Sequence, residues 1–125
     1  MYELKLKRIY QPASAQDGYR ILVDRLWPRG VTKQRAHVDC WMRDITPTPA
    51  LRKWFAHDPE KWAEFKRKYL QELRDNRDAV DELIKLVKTH RRMTLLYAAH
   101  DEEHTHARVL ASHLKRRLRG HTSQI

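Results

Sequence analysis

The chain has 125 residues, with 26 Lys and Arg against 16 Asp and Glu, giving a formal charge of +10. That is the length of one domain, and a composition 41% hydrophobic and 34% charged suits a globular fold with a charged surface. Its three glycines, Gly18, Gly30 and Gly120, cannot spell a Gly-rich phosphate loop, and the lone Cys40 excludes an intrachain disulfide or a Cys-based zinc cluster.

Residues 4–9 alternate apolar and basic side chains, which predicts a strand with one wet face. After a polar loop, Tyr19-Arg20-Ile21-Leu22-Val23-Asp24 predicts an inner strand, and Trp27-Pro28-Arg29-Gly30 a turn. Trp41 and Ile45, four apart, suggest one helical turn before Pro47. Thr48-Pro49 and Asp58-Pro59 read as helix starts, each a capping side chain followed by a proline. Apolar stripes follow at helical spacing: Trp62, Phe65, Tyr69 and Leu73, then Val80, Leu83, Ile84 and Val87. Met93 to Ala98 predicts a second inner strand, and Asp101 the cap of a last helix. The order predicts a single small α/β domain over 1–119, a short, mainly parallel sheet flanked by helices, with a flexible tail at 120–125. No apolar run nears the ~20 residues of a membrane span and no leader pattern opens the chain, so a cytoplasmic protein without membrane attachment is expected.

Ligands of open parallel sheets bind beyond the carboxyl ends of the strands. There this chain offers Asp24, Arg25, Trp27, Arg29 and Gly30 after one strand, and Tyr97 and Asp101 after the other. Arginines bind phosphate or carboxylate through paired N–H groups, while a carboxylate orients a ligand or takes its proton. Asp24 and Arg25 are thus the candidate catalytic pair, and Arg20, Trp27, Arg29, Gly30, Trp41, Tyr97 and Asp101 candidate ligand contacts. The competing account makes the Asp24–Arg pairing a turn-fixing ion pair and the tryptophans core. His100, His104 and His106 invite a metal, yet behind an Asp101 cap His104 and His106 fall about 200° apart around the helix, so no metal site is expected. Whether the domain is an enzyme stays open, as do its cofactor and its oligomeric state.

The last helix places Ala107, Leu110, Ala111, Leu114 and Leu118 on one side and Arg108, Ser112, Lys115, Arg116 and Arg119 on the other. Such a basic face either keeps the protein in solution or contacts the phosphates of a nucleic acid. Nucleic-acid binding through Arg108, Lys115, Arg116 and Arg119 is the alternative to an anionic small molecule at the Asp24–Gly30 loop.

The segment Arg20-Ile-Leu-Val-Asp-Arg-Leu-Trp-Pro-Arg-Gly30 resembles the hallmark of the YeaO-like family, domain of unknown function 488. The resemblance continues through Trp41, Ile45-Thr46-Pro47, Leu51-Arg52, Tyr69, Leu73, Thr94 to Ala99 and Ala107-x-Val109-Leu110. It implies a small bacterial-type α/β domain and marks Asp24, Arg25, Trp27, Arg29, Gly30 and Tyr97 as pattern residues. Thr105-His106 departs from the Asn-Asn or Asn-His of that pattern, exchanging an amide for a shorter hydroxyl.

Overall fold

The structure, a computed structural model, describes residues 2–123, with side chains up to Arg119. The predicted tail at 120–125 therefore lies outside the described side chains. Four strands, β1 (Glu3–Arg8), β2 (Tyr19–Leu22), β3 (Cys40–Trp41) and β4 (Arg92–Tyr97), form one sheet in the order β1-β4-β2-β3. All three pairings are parallel. The central strands are the two apolar runs, with Ile21 opposite Leu95 and Leu22 opposite Leu96, and all four residues are fully buried. Burial on both faces is what makes these strands continuous apolar runs rather than alternating ones.

Strand parity divides the core in two. Ile21, Val23, Met93, Leu95 and Tyr97 face a layer built from α2 (Pro49–Phe55), α3 (Trp62–Asp75), α4 (Arg77–His90) and α5 (His106–Ser123). Leu22 and Leu96 face the other way, under the short α1 (Lys33–Ala36) and the loop after β2. The predicted stripes are the buried faces of the helices: Phe65, Tyr69 and Leu73 on α3, and Val80, Leu83 and Val87 on α4. Thr48 caps α2 by accepting from the Leu51 N–H, with Pro49 at the first position.

Two expectations need correction. Trp41 is not in a helical turn but in the two-residue β3, held by pairing with Ile21 and Leu22. Asp101 does not cap α5. Its Oδ1 accepts from the N–H groups of Glu103 and His104 in a bend, and α5 begins at His106 instead. The Thr105 hydroxyl accepts from the Ala107 N–H at that start.

Candidate functional site

Asp24 lies just past the end of β2, where the parallel register brings it beside β4. Its Oδ2 accepts from the Ala98 N–H at 2.9 Å. Across from it, the first residue of α5 supplies an imidazole: His106 Nε2 is 2.6 Å from the Val23 carbonyl and 3.5 Å from Asp24 Oδ1. A carbonyl oxygen only accepts, so Nε2 carries the proton, and the neutral ring keeps Nδ1 as an acceptor. Burial pushes the Asp24 carboxyl above the ordinary carboxylate range, against the pull of His106, the Ala98 N–H, Arg52 and His57. Burial likewise holds His106 below the usual histidine value, with Asp24 opposing. Both shifts favour the uncharged partners over an ion pair.

The loop after β2 is fixed through its backbone. Trp41 Nε1 donates to the Asp24 carbonyl at 2.8 Å, Trp27 Nε1 to the Val31 carbonyl at 2.7 Å, and Tyr10 Oη to the Arg29 carbonyl at 3.2 Å. Gly30 takes φ +78°, a conformation that side chains disfavour. With the backbone anchored this way, the Arg25 and Arg29 side chains stay exposed. Among the described residues neither has an ion-pair partner.

These groups line a cleft of about 280 Å³ bounded by Asp24, Arg25, Trp27, Arg29, Arg52 and His106. Arg52 comes from α2, and His57, on the same cleft, from the turn after it. Ala56 and His57 both have left-handed backbone, at φ 47° and 57°. Consecutive non-glycine residues there cost about 1–2 kcal/mol each, and such strain is commonly kept where it aims a side chain.

Of the residues singled out from the sequence, Asp24, Arg25, Trp27, Arg29 and Gly30 share this loop, and the first four line the cleft. Trp41 stands behind it, stacked under Arg43 at 3.7 Å and edge-on to Trp27. Tyr97 is 3% exposed and belongs to the core under the helices. Asp101 holds the His104 ring, Oδ2 to Nδ1 at 2.8 Å. Arg20 is buried at the other end of β2, where its guanidinium bonds the Ala36 and His37 carbonyls and pairs with Asp17. Arg108, Lys115, Arg116 and Arg119 are exposed along α5, away from the cleft lining. Among the described residues no three His, Cys, Asp or Glu gather as metal ligands, and no helix is long and apolar enough to cross a membrane. Arg52, His57 and His106 were not singled out as ligand contacts. His106 was legible only inside the histidine cluster, and His57 had no local signal because its placement depends on the end of α2.

Residues 3–124 match the model of a protein family described as "Inactive DUF488-N3 subclade". The chain belongs to this family. Among DUF488 relatives, "Uncharacterized protein YeaO" of Escherichia coli K12 is 43% identical over 112 residues, covering 90% of this chain and 96% of that one. "Uncharacterized protein Rv3073c" of Mycobacterium tuberculosis H37Rv is 39% identical over 115 residues, covering 91% and 95%. "Uncharacterized protein Mb3100c" of Mycobacterium bovis has the same identity and coverage. The likeness to YeaO read from the 20–30 segment thus extends along nearly the whole DUF488 domain. No solved structure matches the chain.

Proposed function

We propose that this domain binds an anionic small molecule, a phosphate ester or similar oxyanion, in the cleft beyond β2 and β4. One observation carries the reading: Arg25, Arg29 and Arg52 line a single cleft, and among the described residues none of the three is neutralised by an ion pair. Guanidinium groups kept free of carboxylates are suited to paired hydrogen bonds with phosphate oxygens. Asp24 orients the ligand beside the anion by accepting from a hydroxyl or amine, and Trp27 walls the cleft. The description of the matching family as an inactive subclade supports binding without turnover, so Asp24 and Arg25 act here as binding residues rather than as a catalytic pair. Calorimetry with phosphate, pyrophosphate and phosphate monoesters at fixed ionic strength tests this. Wild type should bind at least one of them, and Arg25→Ala, Arg29→Ala or Arg52→Ala should each weaken it about tenfold or more, as loss of a charged hydrogen bond does. Equal heats for wild type and all three variants would remove the reading.

A second reading rests on a separate observation. Arg108, Lys115, Arg116 and Arg119 form one exposed face of α5, and among the described residues none of them has a carboxylate partner. A nucleic-acid backbone is the partner such a face fits.

A further inference from the structure

The cleft continues into a smaller compartment of about 90 Å³, which the anion-binding arginines Arg25 and Arg29 do not reach. The two compartments share Pro47, Arg52, His57, Ala99 and His106, so Arg52 stands at their junction. The smaller one is of a different character. Phe55 and Phe65 form its wall, stacked with centroids 4.2 Å apart and only 6% and 2% exposed. The same lining carries the imidazoles of His57, His104 and His106, His57 tilted against Phe55 with ring centroids 6.2 Å apart and placed there by the left-handed turn after α2. Aromatic walls with a few placed polar groups are what a planar ring finds in a small-molecule site.

From this juxtaposition we infer that the ligand carries one planar ring beside its anionic group, the anion held by Arg25 and Arg29 and the ring seated against the lining that Phe55, Phe65 and the imidazoles of His57 and His106 share. The inference rests on the anion-binding reading above and adds the ligand class to it. Size limits the ring. A closed cavity of about 150 Å³ takes benzene, whereas this space is about 90 Å³ and opens on one side into the larger compartment. The compartment therefore encloses only part of one ring, whose substituted edge projects through the open side toward Arg52. A fused pair of rings does not fit. The joined geometry also gives Arg52 a purpose at the junction, since a guanidinium both bonds an anion and stacks on a ring.

Calorimetry on the full chain with methyl, phenyl and 1-naphthyl phosphate, at one pH and ionic strength, separates the parts. Phenyl phosphate should bind about tenfold or more tighter than methyl phosphate, the gain expected for burying a benzene-sized apolar face. Naphthyl phosphate should show none of that gain. Ala99→Leu, which intrudes on the shared wall, should bring the phenyl-to-methyl ratio close to one. If that variant does not fold, the three-ligand series on wild type decides alone. Equal affinity for methyl and phenyl phosphate, or a naphthyl ester as tight as the phenyl one, overturns the ring and leaves the anion site standing. No heat with any of the three, or with the phosphates tested above, overturns both.

Discussion

Asp24 and His106 approach to 3.5 Å where β2 ends and α5 begins, and each is held by a backbone group of the sheet, the Ala98 N–H and the Val23 carbonyl. The contact ties the last helix to the sheet rim, yet burial works against the charge of both partners. Burial of both partners makes such a pair a weak source of stability.

Its pH signature follows from the two directions. The folded chain holds the Asp24 proton more tightly than the unfolded chain, so this group's contribution is lost as pH rises from about 3.9 through the raised value. For His106 the unfolded chain binds the proton more tightly, so stability falls as pH drops from about 6.5 toward the lowered value. His113, also lowered by burial, adds to this second loss. Asp24→Asn keeps an acceptor for the Ala98 N–H and removes the buried charge. Urea midpoints should show it at least as stable as wild type at pH 7, by up to about 1 kcal/mol, with the advantage shrinking toward pH 4. Its acid loss near pH 6 should steepen, because no carboxylate remains to favour a protonated His106. Destabilisation beyond about 1 kcal/mol at pH 7 would instead make the pair a structural clamp.

Arg20 should separate stability from binding. Burial alone would raise Asp17, but bonds from the Ser14 N–H, Lys7 and Arg20 hold its carboxyl below the usual range. Arg20→Met strands that buried carboxylate with Lys7 as its remaining cation, 3.1 Å away. A loss of about 3 kcal/mol in denaturant titrations is expected. Anion affinity, measured below the unfolding temperature, should stay unchanged, since Arg20 sits about 13 Å back along the strand from Asp24. Lost affinity with intact stability would return Arg20 to the site.

What could be read from the sequence was set by local chemistry. The runs at 19–23 and 93–98 announce inner strands because residues buried on both faces leave no polar alternation. Thr48-Pro49 and the stripes of α3 and α4 likewise depend only on neighbours a few residues away. Most of the missed features are long-range. Cys40–Trp41 becomes a strand only because β2 offers it an edge. Arg20 lies on the same segment as Asp24, but its position nearer the strand's start directs it to Asp17 and α1. Asp101 satisfied a nearby bend, which moved the start of α5 to His106 and left His106 on both compartments and His104 on the smaller one. The cleft draws on β2, β4, α2 and α5, and no window of sequence contains it.

Gly18 and Gly30 predict opposite costs. A Cβ on Gly18 would sit 2.3 Å from the Arg92 carbonyl oxygen, at φ +68°, whereas one on Gly30, at φ +78°, would meet nothing within 4 Å. Gly18→Ala therefore has to push β2 from β4 and should cost several kcal/mol, about 3 or more. Gly30→Ala carries only the backbone penalty, about 1–2 kcal/mol. Thermal melts of the two variants check the order, and a Gly30 variant less stable than the Gly18 one would contradict it. Because Gly30 shapes the arginine loop, its variant should also lose anion affinity in greater proportion than stability.

The basic face of α5 gives the last test, since it is independent of the cleft. Lys115 and Arg116 are exposed, and neither lines the Asp24 cleft. Lys115→Glu with Arg116→Glu should therefore change stability by no more than about 0.5 kcal/mol and leave anion binding untouched. If α5 contacts a nucleic acid, each lost phosphate contact lowers the slope of log affinity against log salt by about 0.9. The double variant should then bind a mixed-sequence duplex more weakly and with a slope smaller by about 2. Binding that is unaltered by these two charges, or equally salt-dependent without them, would leave the basic face of α5 as a solvated surface.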